Sequence, residues 1–351
     1  MFFYILLFVI YVYIALKDSM TNNVHIGALL LVVLCFFSAF RGENVGTDTI
    51  HYLNFGVEVL DFDTTIKRPE FIYYSFGNFL LIKGISMKYL ILFFSIITFS
   101  FLYLSAKRTN TSITLVAVVF LLLFYFHSFN IARQITAASI VLYAYTFVDE
   151  NSVRKRCCFF LFVALAILLH ASSILAIIVY FLRNIRFSPN LIIGLILGSF
   201  FLNALIPINI MTVFEKIFPN SFYALKYANV VDIYKRSLVG ILVDFINMVI
   251  MVYVFYLQTK GRKTSFSDNL FVLSILLQFL SVSLDSDVGR VVFVFSIYQV
   301  LYLSKCFEQK TMVSVVKNTF VCWIIFNAFF VLYNAAIGYG EVVPYIIDFK
   351  F

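Results

Sequence analysis

Long apolar runs, separated by short polar connections, occupy most of the 351-residue chain. Because these runs are continuous and lack the two-residue alternation of barrel strands, they predict membrane-embedded helices of roughly 17 to 25 residues. Two runs are expected to be unusual. Residues 71–82 are predicted as a short helix at the outer face, and residues 157–182 as two half-helices that break near His170. The predicted spans are 2–16, 24–40, 71–82, 89–106, 111–128, 133–148, 157–182, 189–207, 237–257, 268–284, 290–304 and 318–334.

The composition indicates the same fold class. Hydrophobic residues make up 62% of the chain and charged residues only 13%, which is more apolar than a soluble domain of this size needs. We therefore predict an all-α, polytopic integral membrane protein with about 11–13 transmembrane or re-entrant helices. No long soluble stretch separates the spans, so residues 1–351 are expected to form one integral membrane domain, with outer loops at about 41–70 and 208–236.

The basic residues fall in clusters, and these clusters determine the predicted orientation. Placing them together in the cytoplasm gives a consistent path through the bilayer. The formal net charge of +8 is then explained by membrane topology, and nucleic acid is not expected as a partner. The clusters are Lys107-Arg108, Arg154-Lys155-Arg156, Arg183 with Arg186, Lys260 with Arg262 and Lys263, and Lys305 with Lys310 and Lys317.

Six polar motifs fall on the other, extracytoplasmic side of this path. Charged groups at a membrane surface or within a membrane are costly unless they bind something, so the shared side favours a function there. The motifs are Arg41–Thr49 with Tyr52, His127–Gln134, His170–Ser173, the charges within 208–236, Asp285–Arg290, and the segment from Asn334 to Tyr345.

A structural role stays open for each of these groups. Arg41 could extend from a helix end to the membrane surface, and Arg133 could pair with a neighbouring helix. A satisfied hydrogen bond between helices would account for His170. A solvated turn would account for residues 285–287, and Arg290 could anchor a helix end.

Several arginines on one side of a membrane suit a phosphate or pyrophosphate ligand, because the guanidinium is permanently charged and binds in a bidentate manner. The sequence contains no P-loop, dinucleotide fingerprint or HExxH pair, and its five cysteines show no metal-binding spacing. We therefore expect no cofactor and no metal site. An enzyme on this side needs an already activated substrate, and lipid-linked pyrophosphoryl sugars meet that requirement.

The segment Phe40-Arg41-Gly42, with Val45-Gly46-Thr47-Asp48-Thr49 and Tyr52, resembles the signature of the EpsG-like branch of Wzy-type polysaccharide polymerases. Further similar motifs follow in order, and the resemblance spans essentially the whole chain. They are Asn130-Ile-Ala-Arg133-Gln134, His170-x-Ser172, Arg290, Gly338-Tyr-Gly340 and Pro344-Tyr345. Where the family has an acidic-Pro/Gly-Tyr pattern, this chain departs from it with Arg68-Pro-Glu70-Phe-Ile-Tyr, and no role is assigned to Glu70.

The resemblance implies a membrane glycosyltransferase of the polymerase/ligase type, located in the bacterial cytoplasmic membrane with its active face outside. Such enzymes transfer a growing glycan from its undecaprenyl-diphosphate carrier onto the next lipid-linked repeat unit, without a metal. Their products are O-antigen, capsule or exopolysaccharide. The implied partners are the donor and acceptor lipid-linked oligosaccharides and the lipid bilayer, and a chain-length regulator is a further candidate.

The site residues are predicted from the motifs and the resemblance together. The arginines are expected to bind diphosphates, two side chains compete for the role of base or arginine-positioning group, and the tyrosines are expected to stack on sugar. The candidate catalytic residues are Asp48, His170, Arg133 and Arg290. The candidate substrate-binding residues are Arg41, Tyr52, Gln134, Asp287 and Tyr345.

Three other functions stay open. A flippase or transporter for the same lipid-linked sugar predicts functional polar residues through the membrane and on both faces. A membrane acyltransferase would use His170 as its base, and its loss would leave polymer of normal length. An O-antigen ligase shares the chemistry, but its loss would accumulate long lipid-linked chains.

Overall fold

The computed structural model describes residues 1–18, 23–56, 70–149, 152–205, 238–280, 292–308, 314–338 and 341–349. Regular structure in these ranges is helical, apart from one isolated antiparallel bridge between Arg41 and Ile347. The predicted all-α class is confirmed. The predicted outer loop 208–236 and the candidate residues Asp287 and Arg290 lie outside the described residues.

The chain forms two compact units, Met1–Arg183 with Gln299–Phe351, and Asn184–Tyr298. The single integral domain proposed from the sequence stays a prediction. The first unit contains α1 (Phe2–Asp18), α2 (Val24–Ala39), α3 (Thr49–Leu53), α4 (Phe71–Ile82), α5 (Lys88–Thr109), α6 (Ile113–Leu123), α7 (His127–Asn130), α8 (Ala132–Tyr145), α9 (Val153–Leu169), a 3-10 helix (Ala171–Ala176), α10 (Ile177–Leu182), α15 (Tyr298–Glu308) and α16 (Ser314–Ala336). The second contains α11 (Pro189–Leu205), α12 (Leu238–Thr259), α13 (Phe266–Leu280) and α14 (Phe293–Ser296).

Both of the unusual segments predicted from the sequence take the expected secondary structure. Residues 71–82 form the short helix α4. Helix α9 ends at Leu169, because His170 adopts an extended backbone (φ −154°, ψ 120°) and a 3-10 helix follows. The predicted span 111–128 was too long, since its helix begins after the N-cap Ser112 and ends at Leu123.

Most of the helices are strongly apolar. Among the described residues, Lys88–Thr109 is the helix that is long and apolar enough to cross a membrane by length and composition. Shorter apolar helices of 10–17 residues make up much of the rest. Together with the apolar composition, these helices make the chain an all-α polytopic membrane protein.

Buried hydroxyl groups connect the central helices of the first unit. Ser95 Oγ of α5 donates to Ser38 Oγ of α2 at 3.0 Å, and Thr98 Oγ1 of α5 lies 2.9 Å from Thr136 Oγ1 of α8. Such hydrogen bonds stabilise helix pairs where no water is available to satisfy a hydroxyl. These contacts hold α2 and α8 against α5, and site residues lie at one end of both helices.

The first unit has a basic end at the start of α2. Asn23, which caps α2, lines a cavity of about 290 Å³ together with Lys107 and Glu308. At the same end the guanidinium of Arg108 lies 3.7 Å from the ring centre of Phe147, after the end of α8. Helix α2 begins at this end and α8 finishes at it. Arg41, after the end of α2, and Arg133, in the first turn of α8, therefore lie at the opposite end.

Candidate functional site

Three segments that are far apart in the sequence meet where α2 ends. The backbone N–H of Gly46 donates to the carbonyl of Glu341 at 2.9 Å. The next residue, Thr47, donates its N–H to Oδ1 of Asn130 at 2.9 Å. The first loop, the turn before α8 and the segment after residue 340 therefore form one structure.

Arg41 lies inside this structure and is only 2% exposed. Its Nε donates to Thr49 Oγ1 at 2.9 Å, and its terminal nitrogens donate to the carbonyls of Ser38 (2.7 Å) and Phe129 (3.3 Å). Burial lowers the pKa of the Arg41 guanidinium to about 10, so it keeps its charge near pH 7. Arg41 thus ties α2, the first loop and the turn before α8 together, and its binding of a diphosphate stays a prediction.

Gly46 allows the first loop to approach this turn. Its φ of +88° lies in the left-handed region, which a side chain disfavours. A Cβ at this position would lie 2.9 Å from Cβ of Phe129 and 3.0 Å from Oδ1 of Asn130. Glycine is required here for both the backbone conformation and the space.

A carboxylate joins two of the predicted site residues. Oε2 of Glu70 accepts a hydrogen bond from the guanidinium of Arg133 at 2.8 Å, and Oε1 lies 2.7 Å from Nδ1 of His170. The contact with His170 is close but does not have the alignment of a hydrogen bond. Side-chain exposure is 13% for Glu70, 22% for His170 and 29% for Arg133. The three side chains form a cluster that is largely buried but still partly exposed to solvent.

Helix ends place each member of this cluster. Glu70 immediately precedes α4, Arg133 lies in the first turn of α8, and His170 follows α9. The amide groups of a first helical turn lack partners within the helix and favour negative charge nearby. The start of α8 therefore supports both the carboxylate and any further anion that approaches Arg133.

Aromatic rings surround Arg133. Its guanidinium lies 4.2 Å from the ring centre of Tyr73 and 5.9 Å from that of Tyr52. The hydroxyl of Tyr52 accepts a hydrogen bond from the backbone N–H of Arg133 at 3.4 Å. Tyr52 is only 3% exposed, and burial raises the pKa of its hydroxyl. In this arrangement Tyr52 supports Arg133, and its stacking on a sugar stays a prediction.

The remaining described candidates lie around the cluster. Asp48 precedes α3, is half-buried, and its Oδ1 accepts a hydrogen bond from Thr47 Oγ1 at 3.3 Å. Gln134 is buried in α8 beside Arg133 in sequence. Tyr345 packs in parallel on Phe3, with ring centres 4.5 Å apart. The structure brings these three to the same end of the first unit, and their roles in binding or catalysis stay predictions.

The sequence predicts no role for Glu70. A carboxylate placed directly after Pro69 and before a short apolar helix was the available signal. What the sequence did not contain was its partners, which are 63 residues (Arg133) and 100 residues (His170) further along the chain. Arg133 and His170 were recognisable because they interrupt apolar spans.

The cluster provides the groups for charge stabilisation and proton transfer. Arg133 pairs with Glu70, Glu70 faces Nδ1 of His170, and the other ring nitrogen, Nε2, lies on the far side of the imidazole. Within the described residues no group of three or more His, Cys, Asp or Glu has the geometry to hold a metal ion. The side chains present suit acid–base and electrostatic chemistry on an anionic substrate.

A sequence model of the EpsG family matches residues 24–347, which is nearly the whole chain. The chain belongs to the EpsG family. No curated protein and no solved structure matches it significantly. EpsG is a family of Wzy-like polysaccharide polymerases, which confirms the resemblance found in the sequence.

Membership of the EpsG family establishes the function at a coarse level. Members are membrane proteins of polysaccharide biosynthesis, with a polymerase-type, glycosyltransferase-like function. The matched range includes every described residue of the Arg133–Glu70–His170 cluster and the first loop. This EpsG-family chain therefore carries its polar cluster within the part of the sequence that defines the family.

Proposed function

We propose that this protein polymerises undecaprenyl-diphosphate-linked repeat units on the outer face of the bacterial cytoplasmic membrane, and that the Arg133–Glu70–His170 cluster is its catalytic centre. The observation that carries the proposal is the placement of the Glu70 carboxylate between the Arg133 guanidinium and the imidazole of His170 in an EpsG-family chain. The cluster lies at the end of the first unit away from Lys107 and Arg108, which the positive-inside rule assigns to the cytoplasm.

Arg133 is suited to bind the donor's diphosphate. Its side chain is 29% exposed, and Glu70 occupies one terminal nitrogen, so the guanidinium is held in place while part of it faces the surroundings. A guanidinium at the first turn of a helix adds to the positive end of the helix dipole. As the glycan leaves its carrier, negative charge grows on the diphosphate, and a fixed positive group stabilises that charge.

His170 is suited to accept the proton of the acceptor hydroxyl. The hydroxyl oxygen of the acceptor sugar attacks the anomeric carbon of the donor, and the bond between that carbon and the diphosphate oxygen breaks. The undecaprenyl diphosphate leaves with the bonding electrons, and Nε2 of His170 takes the proton. Glu70 then faces a charged imidazolium, which it stabilises in the way that a carboxylate supports a catalytic histidine. Asp48 is the alternative base, and Arg290 is proposed as a second diphosphate ligand.

Deletion of the gene and complementation with variants tests the proposal. Arg133→Ala should remain in the membrane at the wild-type level and give surface glycan of a single repeat. Arg108→Ala is the matched control, because Arg108 also lies over an aromatic ring but at the basic end. It should restore the full ladder on a gel.

The same gel separates the alternatives. Long polymer from Arg133→Ala at the wild-type level contradicts the proposal. A deletion strain that accumulates long lipid-linked chains indicates a ligase, and unacylated polymer of normal length indicates an acyltransferase. A deletion strain that keeps single lipid-linked repeats on the inner leaflet indicates a flippase.

A further inference from the structure

We infer that residues 341–348, called the strap here, are a positioning part of the catalytic site that sets the geometry of the first loop. The inference rests on the proposed function, since its effect is measured on polymerisation. The described contacts of the strap fall on α1, the end of α2, the first loop and the start of α5. We assign the strap's effect on catalysis to the first loop, because these contacts hold that loop.

The strap pairs with the backbone on both sides of Arg41. The N–H of Gly42 donates to the carbonyl of Ile346 at 2.7 Å, and the N–H of Asp348 donates to the carbonyl of Phe40 at 2.9 Å. Between them Arg41 and Ile347 form an antiparallel bridge. These bonds satisfy backbone groups that the end of α2 leaves without helical partners, and they fix the direction of the loop as it leaves the helix.

A second contact fixes the far side of the same loop. The carbonyl of Glu341 accepts the N–H of Gly46, whose neighbour Thr47 is bound by Asn130. Asn130 lies three residues before Arg133 in the chain. The strap thus holds the loop against the turn that leads into α8, and so against the segment that positions Arg133.

The strap is itself anchored at two points. The hydroxyl of Tyr4 donates to the carbonyl of Val342 at 2.9 Å, and the hydroxyl of Tyr345 donates to the carbonyl of Phe37. The ring of Tyr345 packs on Phe3. Because each hydroxyl bonds to a carbonyl across a long sequence separation, these bonds hold the strap on α1 and α2.

An ion pair holds the other end of the strap. Asp348 pairs with Lys88, the first residue of α5, and their side chains are 29% and 13% exposed. A lysine at a helix N-terminus is placed unfavourably relative to the helix dipole, whereas a carboxylate there is favourable. Asp348 pairs with the lysine and also brings a negative charge to the helix N-terminus. Reversal of either charge should therefore release the strap from α5.

Charge reversal and charge exchange at this pair test the inference. Lys88→Asp and Asp348→Lys should each lower kcat for elongation of purified lipid-linked repeat units by about tenfold or more, and the double variant should recover most of it. Lys83→Asp, on an exposed lysine five residues earlier, should match the wild type. Gly42→Ala should also lower kcat, because its Cβ would lie 3.3 Å from Cβ and O of Ile346.

Measuring both kcat and the thermal midpoint separates a positioning role from a folding role. Including Arg133→Ala separates this inference from the proposed function. A fall in kcat with unchanged thermal midpoint supports positioning, whereas a lower midpoint with unchanged kcat overturns it. If charge reversal removes the protein from the membrane, Asp348→Asn decides by the same two readouts. Wild-type kcat in both single variants, with Arg133→Ala inactive, overturns the strap and leaves the polymerase. Elongation by Arg133→Ala at the wild-type rate overturns the polymerase centre itself.

Discussion

Arg41 and Arg133 occupy similar positions in the sequence but different environments in the structure. Each arginine stands at the edge of an apolar run in the same half of the chain. Arg41 is 2% exposed, and its described hydrogen-bond partners are two hydroxyls and two backbone carbonyls. Arg133 has a side chain that is 29% exposed and pairs with a carboxylate. The first arrangement holds backbone segments together, and the second keeps a charge in reach of a ligand.

The difference teaches that an arginine at a membrane edge is not by itself evidence of anion binding. Guanidinium N–H groups that already donate to backbone carbonyls can bind a diphosphate only if those hydrogen bonds break and the local fold changes. A guanidinium held by a carboxylate at one nitrogen keeps other donors for a substrate. We therefore propose that Arg41 is a positioning residue and that Arg133 is a ligand of the substrate. Each prediction below separates these two roles.

The largest effect is expected at Glu70, which both Arg133 and His170 contact. Glu70→Gln keeps the size of the side chain and removes its charge, so Arg133 loses its ion pair and His170 no longer faces a carboxylate. Elongation should fall by about 10²- to 10⁴-fold, the range for loss of acid–base function. The measurement is the initial rate on lipid-linked repeat units, with membrane protein quantified in parallel.

Glu43→Gln is the control for that change, because Glu43 is exposed in the first loop. It should elongate at the wild-type rate. A Glu70→Gln variant combined with His170→Gln should be hardly worse than either alone, since the two groups act as one unit. Fully additive losses would show that Glu70 and His170 work separately.

A smaller effect on catalysis, but a clear effect on stability, is expected for Arg41→Lys. A lysine cannot reach Thr49, Ser38 and Phe129 at the same time, so buried carbonyls lose their donors at a cost of about 2–3 kcal/mol. The thermal midpoint in detergent should fall, and activity per folded molecule should fall less than the amount of folded protein. An unchanged midpoint with complete loss of elongation would instead support Arg41 as a direct diphosphate ligand.

Gly46→Ala tests the contact that joins the Arg41 loop to the turn before α8. Both the φ of +88° and the 2.9 Å approach to Cβ of Phe129 disfavour a side chain at this position. We therefore expect Gly46→Ala to lower the free energy of unfolding by about 2 kcal/mol or more. Gly84→Ala is the matched control, because its φ is +64° but nothing lies within 4 Å of its Cβ position. Its cost should be about 1 kcal/mol, from the left-handed conformation alone. Equal thermal midpoints in the two variants would show that the close approach does not matter.

The smallest effect is expected for Thr49→Val. The Thr49 hydroxyl accepts from Nε of Arg41 and donates to the carbonyl of Val45 at 2.6 Å, and its loss should cost about 1–2 kcal/mol. Thr109→Val removes a hydroxyl that donates to Ser105 at the basic end. Both variants should lower the midpoint, but only Thr49→Val should change the rate per folded molecule. A rate change in Thr109→Val would remove the distinction between the two ends.

The fold was largely predictable from the apolar pattern because membrane helices must satisfy their own backbone. The short helix at 71–82 and the break near His170 were predicted because a path that places the basic clusters on one side requires both segments to be unusual. The end of α6 at Leu123 did not, because the apolar pattern continues through Phe124 to Phe126 while the backbone turns. Apolar periodicity reports burial, and it does not report where a buried helix stops.

The site was predictable only as a set of polar residues on one side. Arg133 and His170 were recognisable because charge and imidazole are rare inside apolar spans. The pairing through Glu70 and the burial of Arg41 depend on how distant helices pack, which a single sequence does not specify. The same is true of the strap, whose partners lie about 300 residues earlier in the chain.

The most direct test of the catalytic centre is elongation of purified lipid-linked repeat units by the Arg133→Lys protein. Lysine keeps the positive charge but lacks the planar fork that can hold Glu70 and a diphosphate together. We predict that the thermal midpoint of the variant lies within a few degrees of the wild-type value, and that its product stays at a single repeat. A ladder of wild-type length from the Arg133→Lys protein would contradict the central claim that Arg133 binds the diphosphate in the Arg133–Glu70–His170 centre.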